Sequence, residues 1–261
     1  MTDERDRFVQ LEGVLNFRDF GGYDAAGGRV ARGKLYRSAS FHAATDSDIV
    51  RLNALGVRFV LDLRLPMERE HEPSRWPGAA CQTIAKDEES AAGLPPHLVA
   101  LMQRDVSADS IREYMRGAYR GFPFNPRHIA LFRTWFAELA KEGGPAVVHC
   151  AAGKDRTGMI CALTLHALGV DEATILTDYE LTNRAIDVEA RMPRIKRHME
   201  GRMGRSIDED ALRPMLGVDV EYLDAGLKEI RAQHGSLDAY LEDALGVDAD
   251  VRAALRTQLV M

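Results

Sequence analysis

The sequence contains only three cysteines among 261 residues and no excess of positive charge. Three cysteines form no disulfide framework and suit a reducing compartment, and we interpret Cys81 and Cys161 as small buried apolar residues. A net charge of −6 argues against broad nucleic-acid binding, which needs a basic surface. No stretch approaches the roughly 20 apolar residues that span a bilayer, and residues 1–7 are charged where a signal peptide is apolar. We therefore predict a cytoplasmic protein without a nucleic-acid partner, although unconventional secretion stays open.

The chain does have enough apolar residues, 46%, for a substantial core, and no internal repeat divides it. We predict a single domain over residues 1–261. Apolar runs at residues 58–63, 81–85 and 146–148 predict strands of a buried parallel sheet, and short strands are predicted at 13–15 and 34–36 around a turn. Helical patterns alternate with these strands and then follow one another, at residues 45–55, 110–120, 126–141, 159–168, 171–183, 218–234, 236–245 and 248–259. The predicted fold class is α/β, a mostly parallel sheet flanked by helices with extra C-terminal helices.

One segment carries a strong chemical signal, the run His149-Cys150-Ala151-Ala152-Gly153-Lys154-Asp155-Arg156-Thr157-Gly158. It lies between a predicted strand and a predicted helix, so it opens at a helix N-terminus. Free backbone N–H groups and about half a positive charge favour an anion there. Gly153 lets the backbone turn so that successive N–H groups, with those of Ala151 and Ala152, face one point. The segment is therefore a candidate phosphate-binding loop.

The side chains of this loop suit phosphoryl transfer. We expect Cys150 to be a thiolate and a nucleophile at neutral pH, because a helix N-terminus and the neighbouring cations favour that form. Arg156 offers a planar fork that matches two phosphate oxygens and the oxygens of the transition state. The Thr157 hydroxyl is placed to stabilise the sulfur when a phosphoenzyme breaks down, and His149 is expected to orient the loop and tune Cys150 rather than to act as a base.

The loop resembles the Cys-X5-Arg signature of protein tyrosine phosphatases. Other stretches resemble the bacterial tyrosine phosphatase family that includes the secreted phosphatases of mycobacteria and Listeria: residues 16–22 (NFRDFGG), 35–38 (LYRS), 60–64 (VLDLR), 178–183 (DYELTN) and 235–240 (GSLDAY). The resemblance covers nearly the whole chain. It implies a three-layer α/β sandwich, a phosphocysteine intermediate, no metal or other cofactor, and activity that can extend from phosphotyrosine to phosphoserine, phosphothreonine and phosphoinositides.

The general acid is less evident from the sequence. Most tyrosine phosphatases take an aspartate from a Trp-Pro-Asp loop, but this chain has Trp76-Pro77-Gly78, with glycine where the acid would be. Two aspartates could replace it. Asp155 lies inside the phosphate loop, as in the bacterial family that the chain resembles, and Asp87 follows the predicted strand at 81–85. We favour Asp155, whose alternative role is only to complement the helix dipole.

Lys154 and a basic segment bear on the substrate. The Cys-X-X-Gly-Lys-X-Arg pattern resembles the loops of phosphoinositide phosphatases. By that resemblance Lys154 would contact a second phosphate on an inositol ring; alternatively, the Lys154 side chain points to solvent. Residues 191–205 interleave apolar and basic residues at helical spacing, the basic ones being Arg191, Arg194, Lys196, Arg197, Arg202 and Arg205. Such a helix could belong to a lid that is formed by residues 187–217 and covers the cleft. Alternatively, it could touch an anionic membrane surface transiently, or pack on the protein with its charged face in solvent.

Three further residues are candidates for phosphate or loop contacts. By resemblance to the family, Arg18 and Asp19 lie near the phosphate loop, where they would orient it or touch substrate. A turn-stabilising side-chain interaction explains Asn16 and Asp19 almost as well. Arg64, at the end of a buried strand, forms either an ion pair or a second phosphate contact.

The predicted function is a phosphomonoester hydrolase acting on phosphorylated proteins or phosphoinositides. Two other classes stay open at this point: a sulfurtransferase with a similar cysteine loop, and a module that binds phosphate without turnover. The oligomeric state does not follow from the sequence.

Overall fold

The computed structural model describes residues 7–78, 81–87, 107–204 and 206–261. Its central sheet has five strands in the order β1-β4-β7-β5-β6, and a separate hairpin pairs β2 with β3. The strands are β1 Arg18–Asp19, β2 Asp24–Ala25, β3 Gly28–Arg29, β4 Leu35–Ser38, β5 Phe59–Asp62, β6 Gln82–Ile84 and β7 Ala146–His149. Strand β1 is antiparallel to β4, whereas β4, β7, β5 and β6 are mutually parallel, which confirms the predicted fold class.

Helices cover both faces of this sheet and then form the C-terminal part. They are α1 Asp46–Ala54, α2 Pro66–His71, α3 Ala108–Gly121, α4 Pro126–Glu142, α5 Asp155–Leu168, α6 Glu172–Ile186, α7 Val188–Met203, α8 Glu209–Leu216, α9 Val220–His234, α10 Leu237–Asp243 and α11 Ala249–Leu259. Val60 and Val147 pack with Leu52 of α1 on one face. Leu61 and Val148 belong to the larger core on the other face, with α4 and α5. Alternation along each strand therefore gives three layers.

Helix α1 begins as predicted and explains one wrong prediction. The Thr45 side chain accepts a hydrogen bond from the Asp48 N–H, and Asp48 accepts one from the Thr45 N–H. The Asp48 carboxylate also accepts from the N–H groups of Glu12 and Gly13, at 2.7 and 2.8 Å. These N–H groups therefore donate to a side chain and not to a neighbouring strand. The strand predicted at 13–15 is wrong, and the first strand is β1.

The segment predicted as a lid, residues 187–217, contains α7 and α8. Met192 and Met199 of α7 are buried in the main core together with Leu212 and Met215 of α8, so the predicted apolar face packs inward. Arg194 and Arg197 are exposed, whereas Arg205 lies outside the described residues. Closure over a ligand stays a prediction. In the part of the chain that is described, no helix has the length and apolarity that crossing a membrane requires.

A buried histidine at the start of α4 predicts acid sensitivity. The His128 imidazole lies 3.1 Å from the Phe122 carbonyl, and burial, reinforced by the charge of Arg156, lowers its pKa to about 4. An unfolded histidine titrates near 6.5, so unfolding takes up a proton between the two values. This contribution to stability is complete above pH ~6.5 and is lost as the pH falls towards ~4; it amounts to about 3 kcal/mol.

We therefore expect His128→Gln to flatten the dependence of the free energy of unfolding on pH between about 6.5 and 4. Urea denaturation at several pH values would measure this effect. The exposed His71 offers the matched control, His71→Gln, which should leave the profile unchanged. Identical profiles for wild type and His128→Gln would contradict the prediction.

Candidate active site

The candidate phosphate loop lies at the carboxyl edge of the parallel sheet. Ser38, His149 and Asp62 are the last residues of β4, β7 and β5, and they stand in one row of the strand register. Cys150 follows directly after this row. In open α/β sheets ligands bind at this edge, because the strand ends and the helix N-termini that follow them converge there.

The backbone of the loop is turned so that its N–H groups face away from the scaffold. The Ala151 carbonyl accepts from the Ser40 N–H at 3.0 Å. The Gly153 carbonyl accepts from Asn16 Nδ2 at 2.7 Å and from the Arg37 guanidinium at 3.1 Å. In a trans peptide the N–H points opposite to the C=O, so the N–H groups of these two peptide planes, those of Ala152 and Lys154, point away from the scaffold. An anion nest needs N–H groups that are free in this way.

Gly153 is required by both conformation and space. Its φ is 67°, in the left-handed region, and a Cβ there would lie 2.2 Å from the Ser38 carbonyl oxygen. Helix α5 then begins at Asp155, and its N-cap, Lys154, makes no side-chain capping hydrogen bond among the described residues. The first N–H groups of α5 are therefore available to an anion.

A layer of buried charge supports the loop from behind. Arg37 and Arg18 are fully buried, and Arg37 pairs with the Asp178 carboxylate at 3.0 Å. Arg18 donates to Asn16 Oδ1, the side chain that holds Gly153, and to the Asp178 carbonyl at 3.0 Å. Burial and the charge of Arg37 lower the pKa of Arg18 to about 10, so it remains cationic at neutral pH. Two cations against one carboxylate leave net positive charge beneath the loop, which favours a bound dianion.

The three cysteines occupy different environments. Cys150 is 2% exposed at the strand end, where the loop begins. Cys161 is buried as predicted, whereas Cys81 is only partly buried, against the prediction, because it packs at the margin of the smaller core. Burial raises the pKa of Cys161 to about 12 and partial burial raises that of Cys81 to about 11, so neither is a thiolate at neutral pH. The Thr157 hydroxyl is buried and has no hydrogen-bond partner among the described residues. Its predicted role beside the sulfur stays a prediction.

Arg156 is oriented by a carboxylate that the sequence did not single out. Its two terminal nitrogens lie 2.6 and 2.7 Å from the two oxygens of Glu68 in α2, and one of them donates to the Leu63 carbonyl at 3.1 Å. Burial is the largest single effect and disfavours the charged guanidinium, but the Glu68 hydrogen bonds and the negative charges of Cys150, Glu68 and Asp155 together outweigh it and raise the pKa of Arg156. The guanidinium plane is therefore fixed in one orientation.

The two candidate acids differ sharply. Asp155 is in the first turn of α5, is 22% exposed, and accepts a hydrogen bond from the Tyr119 hydroxyl at 2.8 Å. Asp87 is 92% exposed and forms an ion pair with Arg69 of α2. The structure thus holds the Asp155 side chain by a hydrogen bond and leaves the Asp87 side chain exposed to solvent.

Lys154 takes neither of the two orientations expected from the sequence. It is 7% exposed, so it does not point to solvent. Its ammonium donates to the carbonyls of Met215 and Gly217, the latter at 3.1 Å, and lies 3.6 Å from Asp155 Oδ2. Lys154 therefore ties the end of α8 to the phosphate loop. A contact with a second phosphate stays a prediction and would require Lys154 to leave these carbonyls.

The remaining predicted residues support the site from the scaffold. Arg64 pairs with Asp62 at 2.8 Å, which is the ion pair considered from the sequence. His149 is buried and lies 3.6 Å from the same carboxylate. Burial lowers the pKa of His149 more than Asp62 raises it, which favours the neutral form. Asp19 accepts from the N–H groups of Gly21 and Gly33, so it stabilises a turn.

Several supporting residues received no role from the sequence alone. Arg37, Asp178 and Tyr179 lie in the family-like stretches at 35–38 and 178–183, so those motifs could have identified them. Glu68 and Tyr119 had no such signal, because only the tertiary fold brings them to the loop. Within the described ranges, no group of three or more His, Cys, Asp or Glu side chains is arranged to hold a metal ion.

Comparison with known proteins agrees with this geometry. The sequence matches the tyrosine phosphatase family over residues 9–261. A provisionally named tyrosine-protein phosphatase of Cupriavidus necator is 35% identical, over 92% of this chain and 85% of that protein. The triple specificity protein phosphatase PtpB of Mycobacterium tuberculosis is 31% identical, over 90% of this chain and 93% of PtpB. TpbA of P. aeruginosa, a solved structure, is 19% identical with a TM-score of 0.32, over 70% of this chain and 86% of TpbA, a likeness too distant to carry an argument. The chain belongs to the tyrosine phosphatase family.

Proposed function

We propose that the chain hydrolyses phosphomonoesters at the loop of residues 149–158, with Cys150 as the nucleophile. The observation that carries this assignment is that the Ala151 and Gly153 carbonyls accept hydrogen bonds from the scaffold, which turns the N–H groups of the same peptide planes to the opposite side of the loop. Phosphoryl transfer needs positioning and charge stabilisation more than any other contribution, and this loop supplies both. The family comparison supports a phosphatase and gives no support to the sulfurtransferase alternative.

The reaction follows in two balanced steps. The Cys150 thiolate attacks phosphorus, the bond from phosphorus to the leaving oxygen breaks, and Asp155 gives its proton to that oxygen. Water then attacks the phosphocysteine, Asp155 takes a proton from it, and the phosphorus–sulfur bond breaks to return the thiolate. Arg156 holds two equatorial oxygens throughout.

We expect Asp155→Asn to lower kcat by about 10²-fold for a phosphoserine peptide, whose alkoxide leaving group needs the proton, and much less for p-nitrophenyl phosphate. The phosphate released from each substrate would measure this difference. Asp87→Asn is the matched control, since Asp87 is exposed and paired with Arg69, and it should retain wild-type kcat with both substrates. Wild-type turnover of the phosphoserine peptide by Asp155→Asn would refute the assignment of the acid.

The finer substrate range belongs to the same proposal. Phosphotyrosine proteins are the primary substrates, and the range extends to phosphoserine and phosphothreonine proteins and to phosphoinositides, as the resemblance of the loop implies. The words triple specificity in the name of one relative support a range wider than one substrate class. The exposed Arg194 and Arg197 of α7 suit transient contact with an anionic membrane surface. A cytoplasmic location fits the reduced thiol that Cys150 needs. Initial rates on phosphopeptides and on phosphoinositide vesicles would rank these substrates.

A further inference from the structure

Asp155, on which the proposed function rests for its general acid, lies at the end of a chain of hydroxyl groups. Tyr119 in α3 has its oxygen 2.8 Å from Asp155 Oδ1, and Tyr179 in α6 has its oxygen 2.5 Å from that of Tyr119. Both tyrosines are buried, at 0% and 1% exposure. Three helices thus meet at one carboxylate.

The direction of the hydrogen bonds in this chain is fixed by the number of protons. An ionised carboxylate only accepts, so the single hydroxyl hydrogen of Tyr119 must point to Asp155. Tyr179 must then donate to Tyr119. Burial and the negative charge of Asp155 raise the pKa of both tyrosines, so both hydroxyl groups keep their hydrogens at neutral pH.

Gly158, the last residue of the phosphate loop segment, leaves space for these hydrogen-bonded tyrosines. A Cβ on Gly158 would lie 2.8 Å from the Tyr179 ring. Gly158 therefore allows that ring to pack directly against the first turns of α5. The Tyr119 ring is held on its other sides by Phe122 and Tyr222, with ring centres 5.1 and 5.9 Å away.

We infer that Tyr119 is a positioning residue that decides which oxygen of Asp155 carries the catalytic proton. Tyr119 donates to Oδ1, so a proton on Oδ1 would compete with that hydrogen bond, whereas a proton on Oδ2 leaves it intact. Oδ2 accepts no hydrogen bond from the described residues, and its ion pair with Lys154 Nζ is long, at 3.6 Å, beyond hydrogen-bond distance. The protonated acid therefore keeps its Tyr119 hydrogen bond and presents Oδ2–H to the leaving oxygen, and Oδ2 takes the proton back from water.

The test is Tyr119→Phe, which removes one hydroxyl and keeps the ring packing. Because a hydrogen bond to a charged group is stronger than one between neutral groups, we expect its loss to lower kcat about tenfold with a phosphoserine peptide. With p-nitrophenyl phosphate, whose leaving group needs the proton less, kcat should fall less than about threefold. KM should stay within about twofold with both substrates. The matched control is Tyr222→Phe. Tyr222 lies in the same aromatic cluster, but its hydroxyl donates to the Pro214 carbonyl, so both kcat values should stay near wild type.

A double variant separates positioning from simple structural damage. In the Asp155→Asn background, adding Tyr119→Phe should change kcat by less than about twofold, because residues that act as one unit are not additive. Equal losses with both substrates, or a tenfold loss that persists in the Asp155→Asn background, would overturn the role of Tyr119. An impaired Asp155→Asn with a fully active Tyr119→Phe would overturn this inference alone, whereas an unimpaired Asp155→Asn would remove the acid assignment and this inference with it.

Discussion

Cys150→Ser is expected to abolish turnover, with kcat at least about 10⁴-fold below wild type. The serine hydroxyl is not ionised at neutral pH and cannot replace a thiolate as the attacking group. Serine is nearly isosteric with cysteine, and the 2% exposed site needs no repacking to accept it. The sulfur takes no part in the hydrogen bonds that the scaffold donates to the Ala151 and Gly153 carbonyls, nor in the Arg156–Glu68 pair, so the loop should keep its shape.

The same variant should therefore still bind a phosphotyrosine peptide. We expect a Kd within about tenfold of the wild-type KM, because the N–H groups and Arg156 supply the anion contacts. Calorimetry with Cys150→Ser and a burst assay of the wild type would measure binding and the phosphocysteine step separately. Cys161→Ala is the matched control, since Cys161 is buried in α5, and it should retain kcat. Residual turnover of Cys150→Ser within tenfold of wild type would contradict the nucleophile assignment. A thiosulfate-dependent persulfide on Cys150 of the wild type would instead contradict the phosphatase function and favour the sulfurtransferase.

Arg156→Lys is expected to lower kcat/KM by about 10³-fold, although it conserves the charge. A lysine ammonium cannot offer two parallel N–H groups to phosphate oxygens in a fixed plane. Here that plane is set by two hydrogen bonds to Glu68, at 2.6 and 2.7 Å, and by the Leu63 carbonyl. Lysine cannot form the same set of contacts with Glu68, so it would lose both the fork and its orientation.

Two other variants show whether the fork itself matters. Glu68→Gln leaves Arg156 in place but weakens its support, and we expect an intermediate loss of about tenfold. Arg69→Lys changes an arginine of the same helix that donates to the Arg64 carbonyl at 2.7 Å, and it should cost less than about threefold. Steady-state kinetics with p-nitrophenyl phosphate would rank the variants. The prediction fails if Arg156→Lys stays within tenfold of wild type.

The sequence alone predicted the phosphate-binding loop, its nucleophile and the parallel strands of the sheet. Cys150, Gly153 and Arg156 lie within seven consecutive residues, and a strand followed by a helix is enough to make such a run an anion site, because the helix N-terminus is a local property. The parallel strands β5 and β7 could also be predicted from local sequence, because a strand that is buried on both faces is a continuous run of apolar residues. The strand predicted at 13–15 failed because Asp48, 35 residues away from Gly13, takes its N–H.

Only the tertiary structure decided how the loop is supported. Arg156 meets Glu68 across 88 residues, Asp155 meets Tyr119 across 36, and Asn16 holds Gly153 across 137. Each of these polar side chains had several candidate partners of suitable chemistry in the sequence. Which partner it takes depends on the packing of helices around the sheet edge. Helix and strand patterns, which repeat over a few residues, do not encode that packing in any one segment.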